Sequence, residues 1–162
     1  MSNSKLDQVS VELVRAPTAD VRDLIAALDR TLAAEYCAEQ RHGLMLDAIF
    51  QPHVRFFVAR FDGEAMGCGG VALFEGFAEV KRMYVRDEAR GRGIGRGLLE
   101  RIESEAKESG QTVLRLETGD RQSAAMRLYE RAGFRYCAAF GDYARMTPAQ
   151  VATSIFMEKQ LV

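Results

Sequence analysis

The segment Arg90-Gly91-Arg92-Gly93-Ile94-Gly95-Arg96-Gly97-Leu98-Leu99 places four glycines within seven residues, after an apolar run that ends at Val85. From Ile94 onward an amphipathic repeat begins, with Leu98, Ile102 and Ala106 following at four-residue spacing, so a helix is expected from about 93 to 109. Glycine weakens a helix, and such a density at its entry needs a reason. Without a Cβ, the backbone can bend sharply and approach a ligand closely. The first amides of a helix have no internal partner and carry the positive end of its dipole. A diphosphate fits there, and Arg90, Arg92 and Arg96 add positive charge.

Two familiar phosphate loops fail on spacing. No Gly-Lys dipeptide exists, which removes the GxxxxGK[ST] loop. The third glycine of GxGxxG falls on Arg96 when counted from Gly91 and on Leu98 when counted from Gly93.

Upstream, Val9 to Val14 alternates as a half-buried strand, and Thr18 can cap a helix running to about Tyr36. Residues 37–53 are irregular, with a short helix around 44–49. Val54–Phe61, the Asp62-Gly63 turn and Ala65–Leu73 read as a hairpin, followed by a strand from Ala78 to Val85. Beyond the glycine-rich helix come a strand at Thr112–Glu117, a helix at Ser123–Ala132 and two strands near 134–139 and 152–159. These last two are joined by a loop around 141–150. The expected architecture is α+β (α/β): a mixed, mostly antiparallel sheet of six to seven strands flanked by helices. Residues 1–8 read as a flexible tail and 9–162 as a single domain.

Composition excludes several classes. The 162 residues balance 22 Lys+Arg against 23 Asp+Glu, so no general attraction to nucleic acid or to an anionic membrane is expected. No window approaches the roughly 18 consecutive apolar residues of a spanning helix. Met1-Ser2-Asn3-Ser4-Lys5 lacks the apolar run of a secretory leader. Three scattered cysteines, Cys37, Cys68 and Cys137, read as reduced thiols, so a cytoplasmic location is expected. Two histidines, His42 and His53, give no metal-ligand spacing.

Arg90-Gly91-Arg92-Gly93-Ile94-Gly95 resembles the (Arg/Gln)-x-x-Gly-x-(Gly/Ala) motif by which GCN5-related N-acetyltransferases bind acetyl-CoA. Ala124-Ala125-Met126-Arg127-Leu128-Tyr129-Glu130-Arg131-Ala132-Gly133-Phe134 is similar to the family's second motif, with its Leu-Tyr and Gly-Phe. The element order matches that fold from about residue 9 to 160.

The resemblance implies a sheet whose central parallel strands splay apart, with acetyl-CoA as co-substrate and no metal. Pantetheine would pair along Met83, Tyr84 and Val85, and the amides of Gly91 to Arg96 would hold the pyrophosphate. Tyr129 would protonate the departing thiolate. Many members carry Asn seven residues before that tyrosine; here Gln122 stands there, one methylene longer. Arg121 and Arg131 are candidates for the 3′-phosphate.

Glu79 is the first candidate for the base that deprotonates the acceptor amine, and Glu117 the alternative. Acceptor choice would fall to Tyr36, Glu39, Arg41, His42 and Leu46, then Phe140, Asp142 and Tyr143. Acids there suit a cationic amine, and Arg41 or His42 can hold a carboxylate, which together fit an amino-acid-like molecule. The resemblance also implies homodimer formation, which no surface stripe in the sequence proves. A protein or peptide acceptor, and a non-catalytic acyl-CoA-binding module, are the alternative functions.

Overall fold

The computed structural model describes residues 8–162; of the tail expected at residues 1–8, residues 1–7 lie outside the described residues. Its sheet has seven strands: β1 (Val9–Val14), β2 (Val54–Phe61), β3 (Glu64–Leu73), β4 (Ala78–Val85), β5 (Val113–Gly119), β6 (Arg135–Tyr136) and β7 (Ser154–Gln160). Their order is β1-β2-β3-β4-β5-β7-β6. Every neighbouring pair is antiparallel except β4 and β5. The β2–β3 hairpin turns through Asp62 and Gly63, both at positive φ (50° and 83°), the geometry that matches strand twist in a two-residue turn.

Helix α1 (Ala19–Glu35) starts where the Thr18 hydroxyl accepts the Val21 N–H at 3.3 Å. It buries Val21, Leu24 and Ile25 against Phe56, Val58 and Cys68 on one face of the sheet. On the opposite face α3 (Ile94–Glu108) buries Ile94, Leu98, Ile102 and Ala106 against Phe57, Ala59, Val71 and Val80. Alternation along a strand explains this division, since Phe56 and Phe57 are neighbours pointing opposite ways. Gly110, at φ 84°, ends the α3 segment. The short α2 (Leu46–Ile49) lies inside the span expected for it, and α4 (Ser123–Arg131) joins the α3 face through Tyr129.

Two expectations change. The strand foreseen at 134–139 contracts to β6, because Phe134 turns inward and is buried against the Tyr129 ring. The region foreseen as a loop around 141–150 contains a 3₁₀ turn (Gly141–Arg145) and a short helix, α5 (Pro148–Val151). Thr147 and Gln150 close a reciprocal cap there: the Thr147 Oγ1 accepts the Gln150 N–H at 3.3 Å, and the Gln150 Oε1 accepts the Thr147 N–H at 2.9 Å. That is the T-x-x-Q form of a capping box, legible in the sequence but not read there.

Where β4 and β5 run side by side they pair at only two positions, Ala78↔Leu114 and Glu79↔Arg115. Beyond these the strands part. β4 is displaced by a bulge opposite Gly69, and Arg82 in that bulge takes φ 55°, a left-handed conformation rare for a non-glycine residue. On its other side β5 stays fully zipped to β7 from Val113↔Gln160 to Gly119↔Ser154, so the gap opens only toward β4.

The α3 face of the sheet depends on close packing around Phe57, which is fully buried on β2. Phe57→Ala should therefore lower the unfolding free energy by about 3–5 kcal/mol in urea titration with an unchanged m-value. Met45→Ala, on a side chain 81% exposed, should stay within about 0.5 kcal/mol of the wild type.

Candidate active site

The parted strands frame a half-open cavity of about 110 Å³ lined from both faces of the sheet. On its β4 side stand Glu79, Lys81, Arg82 and Met83; on its β5 side, Glu117, Thr118 and Gly119. Alternation puts Glu79, Lys81, Glu117 and Gly119 on the α1 face, while Val80 packs into the core under α3. Tyr129 closes the slot from α4, its ring set edge-on against Phe134 at 5.8 Å. Burial, and then the nearby Glu117 charge, push its phenol far above the usual tyrosine range.

Glu79 is almost fully buried and doubly engaged. The Tyr143 hydroxyl donates to its Oε2 at 2.6 Å, and the Lys81 ammonium reaches the same oxygen at 2.9 Å. Lys81 also donates to the Tyr143 hydroxyl at 3.0 Å, closing a three-membered ring of contacts. Burial and the adjoining Glu79 carboxylate raise the Tyr143 phenol strongly, so it stays protonated and keeps donating.

Glu117 is less tied. It accepts only the Ser154 hydroxyl, at 3.2 Å, among the described residues. Burial raises its pKa, with His42, Ser154 and Lys81 pulling the other way. His42 joins the rim with its ring edge-on to Tyr143 at 5.7 Å, and its Nε2 lies 2.7 Å from the Gln150 carbonyl. A carbonyl only accepts, so Nε2 carries a hydrogen.

Past the slot, the chain reaches the glycine-rich bend. Gly91 and Gly93 both sit at φ 79°, and a Cβ on either would meet nothing within 4 Å, so this surface is open. Gly93 is the residue before α3, and the first amide of the segment to find a partner is that of Gly97, on the Gly93 carbonyl. No amide from Gly91 to Arg96 donates to an acceptor among the described residues. Ile94, almost fully buried, anchors this end of the helix, and Gly95 lets it approach α4, where a Cβ would come 3.0 Å from Leu128. The flanking arginines are engaged at the surface. Arg90 pairs with Asp87 at 3.0 Å, Arg96 with Glu100 at 3.0 Å, and Arg92 lies 4.7 Å over the Phe61 ring. Met83, Tyr84 and Val85 follow the bulge on β4, paired to β3 through Tyr84 and Val85 and free of β5.

Gln122 stands just before α4 and lines the slot beside Tyr36, whose hydroxyl accepts the Arg121 N–H at 2.8 Å. Gly119 makes room for this tyrosine: a Cβ there would fall 2.2 Å from the Tyr36 Oη. Of the residues expected to choose the acceptor, Tyr36, Arg41, His42 and Tyr143 line the slot, whereas Glu39, Leu46, Phe140 and Asp142 do not.

Lys81, Arg82 and Ser154 were not foreseen as site residues. Lys81 had a signal, because it stands two residues after Glu79 on a strand and so shares its face. Arg82 had none, since its inward direction depends on the bulge. Its Nη2 pairs with Asp29 of α1, its side chain is 5% exposed, and its Nε has no partner among the described residues. A buried donor left unpaired costs about 1–3 kcal/mol.

Residues 21–134, more than two thirds of the chain, match the sequence profile of the Acetyltransferase (GNAT) family. The chain is 46% identical over 143 residues to the IAA acetyltransferase of Azospirillum brasilense, covering 87% of this chain and 90% of that protein. It is 26% identical over 132 residues to the aminoalkylphosphonate N-acetyltransferase of Salmonella typhimurium, covering 76% and 84%. Among solved structures, a Klebsiella pneumoniae protein assigned as an acyl-CoA N-acyltransferase aligns with a TM-score of 0.79 at 35% identity, over 95% of this chain and 98% of that one. The splayed sheet, the open glycine bend and these matches agree: the chain belongs to the acetyltransferase (GNAT) family and is an N-acetyltransferase.

Proposed function

We propose that the protein moves the acetyl group of acetyl-CoA directly to the primary amine of a small molecule within a ternary complex. The observation that carries this reading is the open run of unpaired amides from Gly91 to Arg96, beside a slot walled by carboxylates and a buried tyrosine. Those amides and the α3 dipole suit the pyrophosphate, and Arg90, Arg92 and Arg96 lie around them. The edge of β4 at Met83, Tyr84 and Val85, unpaired toward β5, suits the amides of pantetheine. Gln122 lines the same wall as Tyr36. A small-molecule acceptor is supported by the relative named for aminoalkylphosphonates. Three cysteines that remain free thiols support a cytoplasmic location.

The amine attacks the thioester carbonyl, its C–N bond forms and the C–S bond breaks. A backbone amide on the β4 edge stabilises the negative oxygen, and Tyr129 gives its proton to the leaving thiolate. Its raised pKa keeps the phenol protonated until that moment. Of the two candidate bases, the geometry favours Glu117. Glu79 already holds the Lys81 ammonium and the Tyr143 hydroxyl on one oxygen, and a proton added there would break that ring. Glu117 accepts one hydroxyl and has its affinity for a proton raised by burial. Glu79 then acts as a positioning residue that fixes Lys81 and Tyr143. No cysteine need carry the acyl group, since burial pushes the Cys68 thiol up to about 12.

Purified protein, acetyl-CoA and a panel of small amines, with free thiol as the readout, test the activity. Intersecting initial-rate lines are expected, whereas ping-pong lines contradict direct transfer. Coenzyme A binding without turnover on small amines or peptides would leave a binding module, and turnover on peptides alone a protein acceptor. Gly93→Val, which strains a left-handed position and covers the amides, should weaken coenzyme A binding at least about tenfold by calorimetry with the circular dichroism unchanged. Tyr129→Phe should lower kcat by roughly 10²-fold while coenzyme A affinity holds.

Glu117→Gln should remove the acid limb of kcat/KM and lower its plateau by roughly 10²-fold. The same variant gives a stability test. Because the folded state raises the Glu117 pKa, the carboxyl's contribution is fully present below the unfolded pKa and is lost as pH rises through the folded one. The Gln variant should therefore melt above the wild type at pH 7.5, with that margin shrinking as pH falls toward 4.

A further inference from the structure

Arg82 combines features that stability does not explain. It sits in the bulge of β4 with its backbone held in the left-handed region, which only outside support sustains in a non-glycine residue. Its guanidinium is buried, yet its Nε finds no acceptor among the described residues. The single carboxylate it pairs with, Asp29, is 56% exposed, so water screens the partner but not the arginine. The loop after α1 is shaped around it as well. Gly43 lies against the guanidinium, and a Cβ there would fall 1.8 Å from its Nη1 and 2.9 Å from its Cζ. An apolar side chain of similar volume would fill the same space without these costs.

The placement supplies the missing reason. Arg82 lines the same slot as Glu79 and Glu117, beyond the point where β4 and β5 separate. Carboxylates therefore stand on both strands, and a partly unpaired guanidinium follows farther along one of them, with Arg41 and His42 in the same wall. Lys81 is not free to serve, because Glu79 and the Tyr143 hydroxyl already hold it. A guanidinium with a vacant donor matches an oxyanion of trigonal or tetrahedral shape, whereas a neutral group would leave its charge unanswered.

We infer that Arg82 is a specificity-determining residue that binds an anionic group on the acceptor, so that the substrate is a small primary amine also carrying a carboxylate or a phosphonate. The inference rests on the acetyl transfer proposed above. It assigns the ammonium to the Glu117 side of the slot and the anion to Arg82, with Asp29 holding the guanidinium from behind. An uncharged alkylamine would leave the Nε of Arg82 buried and unpaired in the complex, as it is in the free protein.

The experiment compares matched acceptors on the full-length protein with saturating acetyl-CoA. Three sets are used: amino acids, the plain amines left when the carboxylate is removed, and aminoalkylphosphonates of the same chain length. The wild type should favour an anionic member over its plain amine by about 10²-fold in kcat/KM, mostly through KM. The better of the carboxylate and phosphonate sets then names the anion. Arg82→Met should bring that ratio toward one while plain amines are still acetylated, and Arg82→Lys should restore part of it.

Equal wild-type rates on both members of a pair overturn the anion site and leave acetyl transfer standing. An unchanged ratio in Arg82→Met overturns the assignment to Arg82. Absence of thiol release with every amine, on protein shown by calorimetry to bind acetyl-CoA, overturns the proposed transfer itself. If Arg82→Met fails to fold, Arg82→Lys decides: a ratio lowered from the wild type supports the assignment, and an unchanged ratio overturns it.

Discussion

Two residue pairs hold β4 and β5 together, and the chemistry depends on there being no more. A sheet normally satisfies its backbone by pairing each strand along its length, so an edge exposed inside the protein is costly unless something else meets it. Here β5 is fully committed to β7, and β4 is pulled away by a bulge opposite Gly69. What remains is an opening through the middle of the sheet rather than at its border. Side chains from both faces can thus meet in one small volume, with Tyr129 arriving from the α3–α4 side and Glu117, Lys81 and His42 from the α1 side. The two cores, one on each face, brace the sheet so that the opening does not collapse.

Within that opening the polar groups are divided by how fully they are partnered. Glu79, Lys81 and Tyr143 satisfy one another in a closed ring and form a fixed wall. Glu117 and Arg82 are each left with unused capacity, one as an acceptor and the other as a donor. Low dielectric surroundings make both conditions consequential: complete networks become rigid, and a buried polar group without a partner is costly. The raised phenols of Tyr129 and Tyr143 follow from the same burial, and the Tyr143 hydroxyl donates to Glu79.

The order of elements and the glycine bend were readable from residues alone, because both rest on local rules: alternation, four-residue repeats, caps, and glycines at a helix entry. The helix expected at Ser123–Ala132 is α4, ended by Gly133 for the same reason, whereas the Leu128-Tyr129 and Gly133-Phe134 pairs were singled out by the family resemblance. The wall of the slot was only partly readable. That Glu79 is tied down by Tyr143, 64 residues away, follows from tertiary packing that no short window contains. Arg82 looked like one more charged residue in an alternating strand, and the bulge that turns it inward is set by its pairing with β3. The contraction of β6 has a similar origin, since Phe134 is worth more against Tyr129 than as part of a longer strand.

The contact between Tyr36 and the turn after β5 couples parts of the molecule that would otherwise move separately. Because Gly119 leaves no gap and the Tyr36 hydroxyl receives the Arg121 amide, the last turn of α1 is pinned to the peptide that launches α4. Gln122 and Tyr129 belong to that launched segment, while α1 also carries Asp29, the brace behind Arg82. The tyrosine thus acts as a strut across the slot: a tilt of the first helix on one side cannot occur without disturbing the helix that carries Tyr129 on the other.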